Sequence, residues 1–398
     1  MSKIFKPYKF LTNTITFGIL HTSLICVVLI PYFKDSGMLP IQLSSLLLIK
    51  KVGRLVFDSF FGLMFDRFGA KPIFIVGRVC KLMSFLILLC KPSFGVFAIS
   101  MLFDGISYSS IYGKIGAYTY NTLSFNNKLS FYPRAMSIYY FVNSAVISTM
   151  SFTASVLLKY YGYHFLVVIS IFLNIFSILF MIFVIPRNTK QEDKKFVSKS
   201  LKDIVKIVLS VSKEKPQFLY LLLFYGLVNF FSWQFGSISA MILLDMGFKN
   251  SSVIQIGAMC KIAMAVGCFI SFIFFKNGIT IKNCLNIFSF FVFIGLVISF
   301  IYNGYALAVL MCITVLAYTT IEVSIEKTLD KVSNPKIRGT AVSLAMTFCN
   351  IFTMLSIALV GIIAEIFSYQ VGLIVNVFMV CAVLVLITKK LSNIAIIR

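Results

Sequence analysis

Residues 62–71 read GLMFDRFGAK and stand between two long apolar runs. A run of membrane length leads into Gly62, and PIFIVG follows Lys71 at once. A turn this tight does not reach across a bilayer, so both runs must meet at the same membrane face as antiparallel helices. Gly62 and Gly69 permit close backbone approach and a sharp reversal. Asp66, Arg67 and Lys71 need water or partners and stay outside hydrocarbon.

The rest of the chain has the composition this reading requires. Its 398 residues are 59% hydrophobic and 12% charged, and the mean hydropathy is +0.96, far above a soluble domain. At about 20 residues per span, about twelve spans use roughly 240 positions and leave little for a soluble domain. Lipid offers backbone groups no partner, so nearly all of the chain is expected to be helix. The formal charge of +23 would point to nucleic acid in a soluble protein. In a membrane protein it is the expected excess of Lys and Arg in cytoplasmic loops, and no nucleic-acid partner is expected. Nine cysteines without a CxxC pair, and two distant histidines, His21 and His164, give no metal site. No Gly-x-x-x-x-Gly-Lys-Ser/Thr run and no catalytic constellation occurs, so neither an enzyme nor a cofactor is expected. The basic start MSKIFKPYKF runs into a long apolar stretch with no small-residue cleavage site, which reads as a retained first helix.

Twelve spans fit, at about 10–33, 39–61, 72–91, 94–121, 132–158, 163–185, 218–243, 250–275, 280–302, 305–326, 339–364 and 369–387. An even number puts both termini on one side. That side holds 25 of the 36 basic residues, against four (Lys34, Lys91, Lys159 and Lys249) in the opposite loops. The expected topology is therefore a multi-pass protein of the cytoplasmic, or inner, membrane with both termini cytoplasmic. The long break near 187–217 divides the chain into a six-helix bundle over 1–186 and another over 218–398. Within the break, Leu201, Ile204, Val205, Val208 and Leu209 keep helical spacing opposite Lys202 and Lys206, with Ser200 and Asp203 placed as a capping box. An amphipathic helix on the membrane surface and a solvated tether both fit this segment.

The two halves echo each other. AYTYNTL (Ala117 to Leu123) has its counterpart in AYTTIEV (Ala317 to Val323), and YYGYHF (Tyr160 to Phe165) in IFSYQVG (Ile366 to Gly372). The opening stretch resembles the loop signature of the major facilitator superfamily, Gly-x-Leu-x-Asp-Arg-x-Gly-Arg-Arg/Lys, found between helices two and three. Gly62, Asp66, Arg67, Gly69 and Lys71 match; Met64 replaces the Leu and Ala70 the first basic residue. The resemblance implies an all-α integral membrane fold of twelve transmembrane helices in two pseudo-symmetric six-helix bundles. It further implies secondary transport by alternating access, with the loop bracing the cytoplasmic side and Asp66 as its central residue. A monomer working with a small-molecule solute and H+ in a lipid bilayer is the family expectation. The Gly- and Pro-rich fifth span often carried by drug/proton exchangers of the family has no counterpart, because residues 135–158 contain neither Gly nor Pro. The Arg often found early in the fourth span is replaced by Asp104.

Seven basic residues lie within spans: Lys50, Lys51, Arg54, Arg78, Lys81, Lys114 and Lys261. Four acids join them: Asp58, Asp104, Glu322 and Glu326. Each would cost roughly 2.5–3.5 kcal/mol facing lipid at mid-span, so each must face a partner or a wet cavity. At about 100° per residue, Lys50, Lys51, Arg54 and Asp58 share one stripe of span two. Arg54 and Asp58 are spaced to pair, and Asp104 or Glu322 can supply the acid that Lys50 and Lys51 lack. Lys81, Lys114 and Lys261 are further candidates for cavity lining, while Arg78 lies near enough to a helix end to snorkel. Glu322 and Glu326 suit either a cytoplasmic gate or proton carriage. The stripe reads first as a solute or ion pathway, with a structural charge network that holds the bundles together as the alternative. A surplus of cations favours an anionic or zwitterionic solute such as a polycarboxylate, an organic phosphate or a carboxylate siderophore. Efflux of amphipathic compounds and a non-transporting scaffold or sensor stand as alternatives.

Overall fold

The computed structural model describes residues 24–111, 114–125, 127–128, 131–184, 223–224, 226–227, 238–274, 289–290, 293, 304–332 and 338–392. Every regular element among these is helical. A 3₁₀ turn, Ile25–Val27, is followed by α1 (Leu29–Asp35), α2 (Pro40–Phe68), α3 (Ala70–Ile87), α4 (Phe94–Ile111), α5 (Lys114–Phe125) and α6 (Tyr132–Val184). Later in the chain come α7 (Asn250–Phe274), α8 (Gly304–Val332), α9 (Arg338–Ile366) and α10 (Tyr369–Ser392). Three stretches, Phe94–Gly116, Ile138–Phe183 and Asn250–Ile270, are long and apolar enough to cross a membrane by length and composition. The surface-linker helix expected near 201–209 and the span expected over 280–302 lie outside the described residues, apart from isolated positions in the latter.

The sequence explains the ends of these helices. Pro40 opens α2, where a missing N–H costs nothing. Ser93 precedes α4 and its hydroxyl accepts the Val96 N–H at 3.4 Å, while Ser368 caps α10 through the Val371 N–H at 3.3 Å. α2 runs straight through most of the signature stretch and stops at Phe68. The reversal falls on Gly69 alone, whose φ of +81° is a region that side-chain-bearing residues enter only with strain. Gly62 is an internal helical position, and a Cβ there would meet nothing within 4 Å. α6 covers two expected spans, 132–158 and 163–185, and is broken between them at Gly162 (φ 74°). The end of α1 and the end of the helical stretch over 238–245 close alike. Gly37 N–H bonds to the Lys34 carbonyl and Met38 N–H to the Phe33 carbonyl; Gly247 and Phe248 repeat this on Leu244 and Leu243.

Contacts divide the chain into two units. The first comprises Met1–Met38, Leu46–Lys195 and Asn250–Ala265. In it α3 packs along α4 and α6. One core cluster gathers Phe61 and Phe65 of α2, Ile73 and Phe74 of α3, Ile111 of α4 and Tyr139 and Met181 of α6. The residues just after the reversal are thus pinned by burial, Phe74 completely. In the same unit Asp35 accepts hydrogen bonds from Tyr163 at 2.8 Å and from the Asn250 amide at 2.5 Å. The outward faces of α2 and α3 stay apolar: Val56, Phe60, Val76, Val79 and Met83 are exposed, as lipid-facing residues of a span must be.

The second unit comprises Leu39–Ser45, Phe196–Lys249 and Val266–Arg398. α9 packs on α10, and Ser356 meets Asn376 at 3.0 Å between them. Tyr369 donates to the Pro40 carbonyl at 3.3 Å, and the Ile41 N–H reaches Glu365 at 3.2 Å.

Candidate functional site

The charged residues of the first unit are brought together by one close helix crossing. Gly105 on α4 lies against the backbone of Lys50 and Arg54 on α2, and a Cβ there would overlap the Lys50 carbonyl. No larger residue fits, so the two backbones approach as small residues allow in membrane bundles. That approach sets Asp104 beside Lys50. The Lys50 ammonium stands 2.7 Å from Asp104 Oδ2, and Lys81 of α3 donates to Asp104 Oδ1. One carboxylate therefore holds ammonium groups from two helices.

Aromatic faces complete the cluster. The Arg54 guanidinium lies 4.8 Å from the Tyr108 ring centre, and Lys50 Nζ lies 5.9 Å from the same ring. Tyr108 follows Asp104 by one turn on α4, as Arg54 follows Lys50 on α2, so the two pairs face each other in register. Lys81 Nζ is 5.1 Å from the Phe85 ring. Such contacts are worth about 0.5–2 kcal/mol each and hold a cation without neutralising it. Lys51, Arg54, Arg78, Lys81 and Asp104 are all buried. Lys50 is the most open member, its side chain 21% exposed against 3% for Asp104.

A second pair lies one turn further along α2. Asp58 accepts from Lys114 of α5, which also donates to the Asp58 carbonyl at 3.1 Å. Arg78 is buried rather than snorkelling outward, and its carbonyl accepts the Asn174 amide at 3.0 Å. Lys261 is half-buried on α7, with Nζ 3.8 Å from the Met264 sulfur. Glu322 and Glu326 lie on α8, but their side chains are outside the described residues, as are those of Asp66 and Arg67 at the end of α2. Lys71 donates to the Ile182 carbonyl at 2.6 Å, placing a cation on the C-terminal turn of α6, where the helix dipole favours it.

Charge is distributed unevenly. All seven span-embedded cations fall in the first unit, with only Asp58 and Asp104 of the four acids. Reading the sequence identified every ionic member of the cluster. It missed Tyr108, whose signal was its position one turn from Asp104 on a face already marked as polar. Asp35, Tyr163 and Asn250 carried no signal either: they lie at or near the ends of expected spans and are joined only by the fold.

Known proteins share the family and the fold. The Major Facilitator Superfamily matches residues 13–351. No curated protein sequence matches the chain. Among solved structures, a point mutant of the nucleoside transporter NupG is similar at a TM-score of 0.69 and 14% identity, covering 96% of this chain and 97% of that one. NupG itself is similar at 0.67 and 12%, covering 96% and 98%. A D-xylose-proton symporter is similar at 0.65 and 10%, covering 94% and 97%. At these identities the likeness establishes a shared fold.

Proposed function

The chain belongs to the Major Facilitator Superfamily and is a multi-pass membrane transporter; on that premise we propose that it moves a small anionic or zwitterionic solute by alternating access. The solute class is a polycarboxylate, an organic phosphate or a carboxylate siderophore. The observation that carries this reading is the cluster in which Lys50 and Lys81 share the single carboxylate of Asp104 and Arg54 lies beside them over Tyr108. Cations gathered in a low-dielectric interior attract anions far more strongly than the same groups in water. Arg54 brings a fork of donors that matches a carboxylate or phosphate, and Lys50 a mobile ammonium at the open side.

In this reading the bundle over 1–186 and the bundle over 218–398 rock about the site, joined by the basic linker at 187–217. The protein sits in the cytoplasmic membrane as a monomer with both termini inside, and the signature residues Gly62, Asp66, Arg67, Gly69 and Lys71 brace the cytoplasmic face. Lys51, Lys114 and Lys261 line the route. Protons drive uptake, with Asp58, Asp104, Glu322 and Glu326 as the carboxylates available to carry or gate them.

Thermal stabilisation of the purified protein in detergent tests the solute class. Citrate, succinate, glucose 6-phosphate, uridine, D-xylose and a cationic dye are compared. A ligand at 100 times its dissociation constant adds about 2.7 kcal/mol, which is readily seen. Stabilisation by an anion, lost in Arg54→Ala, is the expected outcome. Stabilisation by uridine, xylose or the dye alone overturns the anionic reading.

A further inference from the structure

Asp104 occupies the place in the cluster that a ligand carboxylate would take. Its two oxygens are divided: Oδ2 stands 2.7 Å from Lys50 and Oδ1 receives Lys81. The two lysines differ in access. The Lys81 side chain is 9% exposed and that of Lys50 21%, so Lys50 is the arm that reaches open space. Arg54 lies one turn away, held over Tyr108. An anion arriving at the open side thus meets Lys50 first, and meets it already bound to a carboxylate of the protein.

We infer that Asp104 is an internal competitor for the solute, and hence a specificity-determining residue of the site proposed above, on whose anionic reading the inference rests. The solute's carboxylate or phosphate takes Lys50 from Asp104, and Asp104 remains with Lys81. Three consequences follow from this exchange. With no solute bound, Lys50 keeps a charge partner, which avoids the cost of a half-buried charge left unpaired. A neutral solute has nothing to offer Lys50 that matches the pair it must break, so neutral solutes are rejected. Solute affinity is also held down by the competing carboxylate, which suits a site that must release what it binds.

Alternatives within the cluster do not explain the division of oxygens. A carboxylate present only to cover Lys81 would have no reason to share itself with the most open cation. Arg54 lies closer to the shared Tyr108 ring, at 4.8 Å against 5.9 Å for Lys50, and Lys50 is the more open of the two lysines on Asp104.

Asp104→Asn tests the inference, because it keeps the shape and removes the charge. The full chain is used in detergent, with citrate and inorganic phosphate as probes and thermal stabilisation titrated against concentration. Asp104→Asn is expected to bind the effective probe about tenfold more tightly than the natural protein, equal to about 1.4 kcal/mol. Asp104→Glu, which restores the competing carboxylate, is expected to return affinity to near the natural value. Asp104→Ser, smaller and hydratable, is expected to tighten binding as Asn does and covers the case in which Asn does not fold. A folded Asn or Ser variant that binds the probe no more tightly than the natural protein overturns the inference and leaves Asp104 a strut for Lys50 and Lys81. If neither probe stabilises the natural protein or any variant, the anionic reading falls and the inference with it.

Discussion

At the scale of single residues, the site is a problem of pairing charges away from water. The Lys114–Asp58 pair shows it most simply. Its side chains are 11% and 24% exposed, and it joins α5 to α2 through an ionic bond and a bond to the Asp58 carbonyl. Lys114→Met leaves Asp58 without that donor and is expected to destabilise the protein by about 1–3 kcal/mol. Adding Asp58→Asn should recover most of the loss, which a double-mutant cycle of unfolding in detergent measures. A coupling near zero would mean that the pair does not hold the helices. The sequence names both residues but pairs Asp58 with Arg54 on spacing along one helix. Spacing sees only one helix at a time. The partner on α5 is set by how α2 and α5 cross, and that crossing is not written in either segment. The sharing of Asp104 between Lys50 and Lys81 is hidden for the same reason: it needs α2 and α3 both packed against α4, with Gly105 admitting α2.

At the scale of elements, the signature stretch is largely helix and its turn is a single residue. Charged Asp66 and Arg67 read as loop because hydrocarbon forbids them, yet a helix can extend past the membrane face into water and keep its backbone bonds. α2 does so as far as Phe68, seven residues beyond the span that apolarity marks. The two glycines of the stretch then have different duties. Gly69→Ala forces a side chain into positive φ and is expected to cost roughly 1–2 kcal/mol. Gly62→Ala enters open space inside a helix and is expected to be neutral or to stabilise by about 0.5–1 kcal/mol. Melting of the two variants side by side checks this, and equal losses would contradict it. The Lys71 bond to Ile182 had no sequence signal, since its acceptor is a helix end 111 residues away. Helix boundaries leave plainer marks in the sequence. Ser93 and Ser368 sit where caps belong, and the matching Asp-x-Gly turns at Asp35–Gly37 and Asp245–Gly247 repeat one set of hydrogen bonds in each half.

At the scale of the whole molecule, composition decides the class and charge placement narrows the function. Apolar runs of span length, basic residues crowded into alternate loops and a recurring set of motifs lead to a multi-pass transporter of this superfamily without reference to any contact. The solute is a finer question, because it depends on which charges share one space. The sequence counts seven cations and four acids within spans, and the fold places all seven cations but only two of the acids in one unit. That imbalance adds to the cluster at Asp104 in favouring an anionic or zwitterionic cargo. Uptake into proteoliposomes tests that claim most directly. The purified protein is reconstituted, the outside is made acidic, and entry of labelled citrate, inorganic phosphate, uridine and a cationic dye is followed. The account predicts saturable entry of an anion, stimulated by the proton gradient and at least tenfold slower in Arg54→Ala. Entry of uridine or the dye at a rate indifferent to Arg54→Ala, with no anion carried, would contradict it.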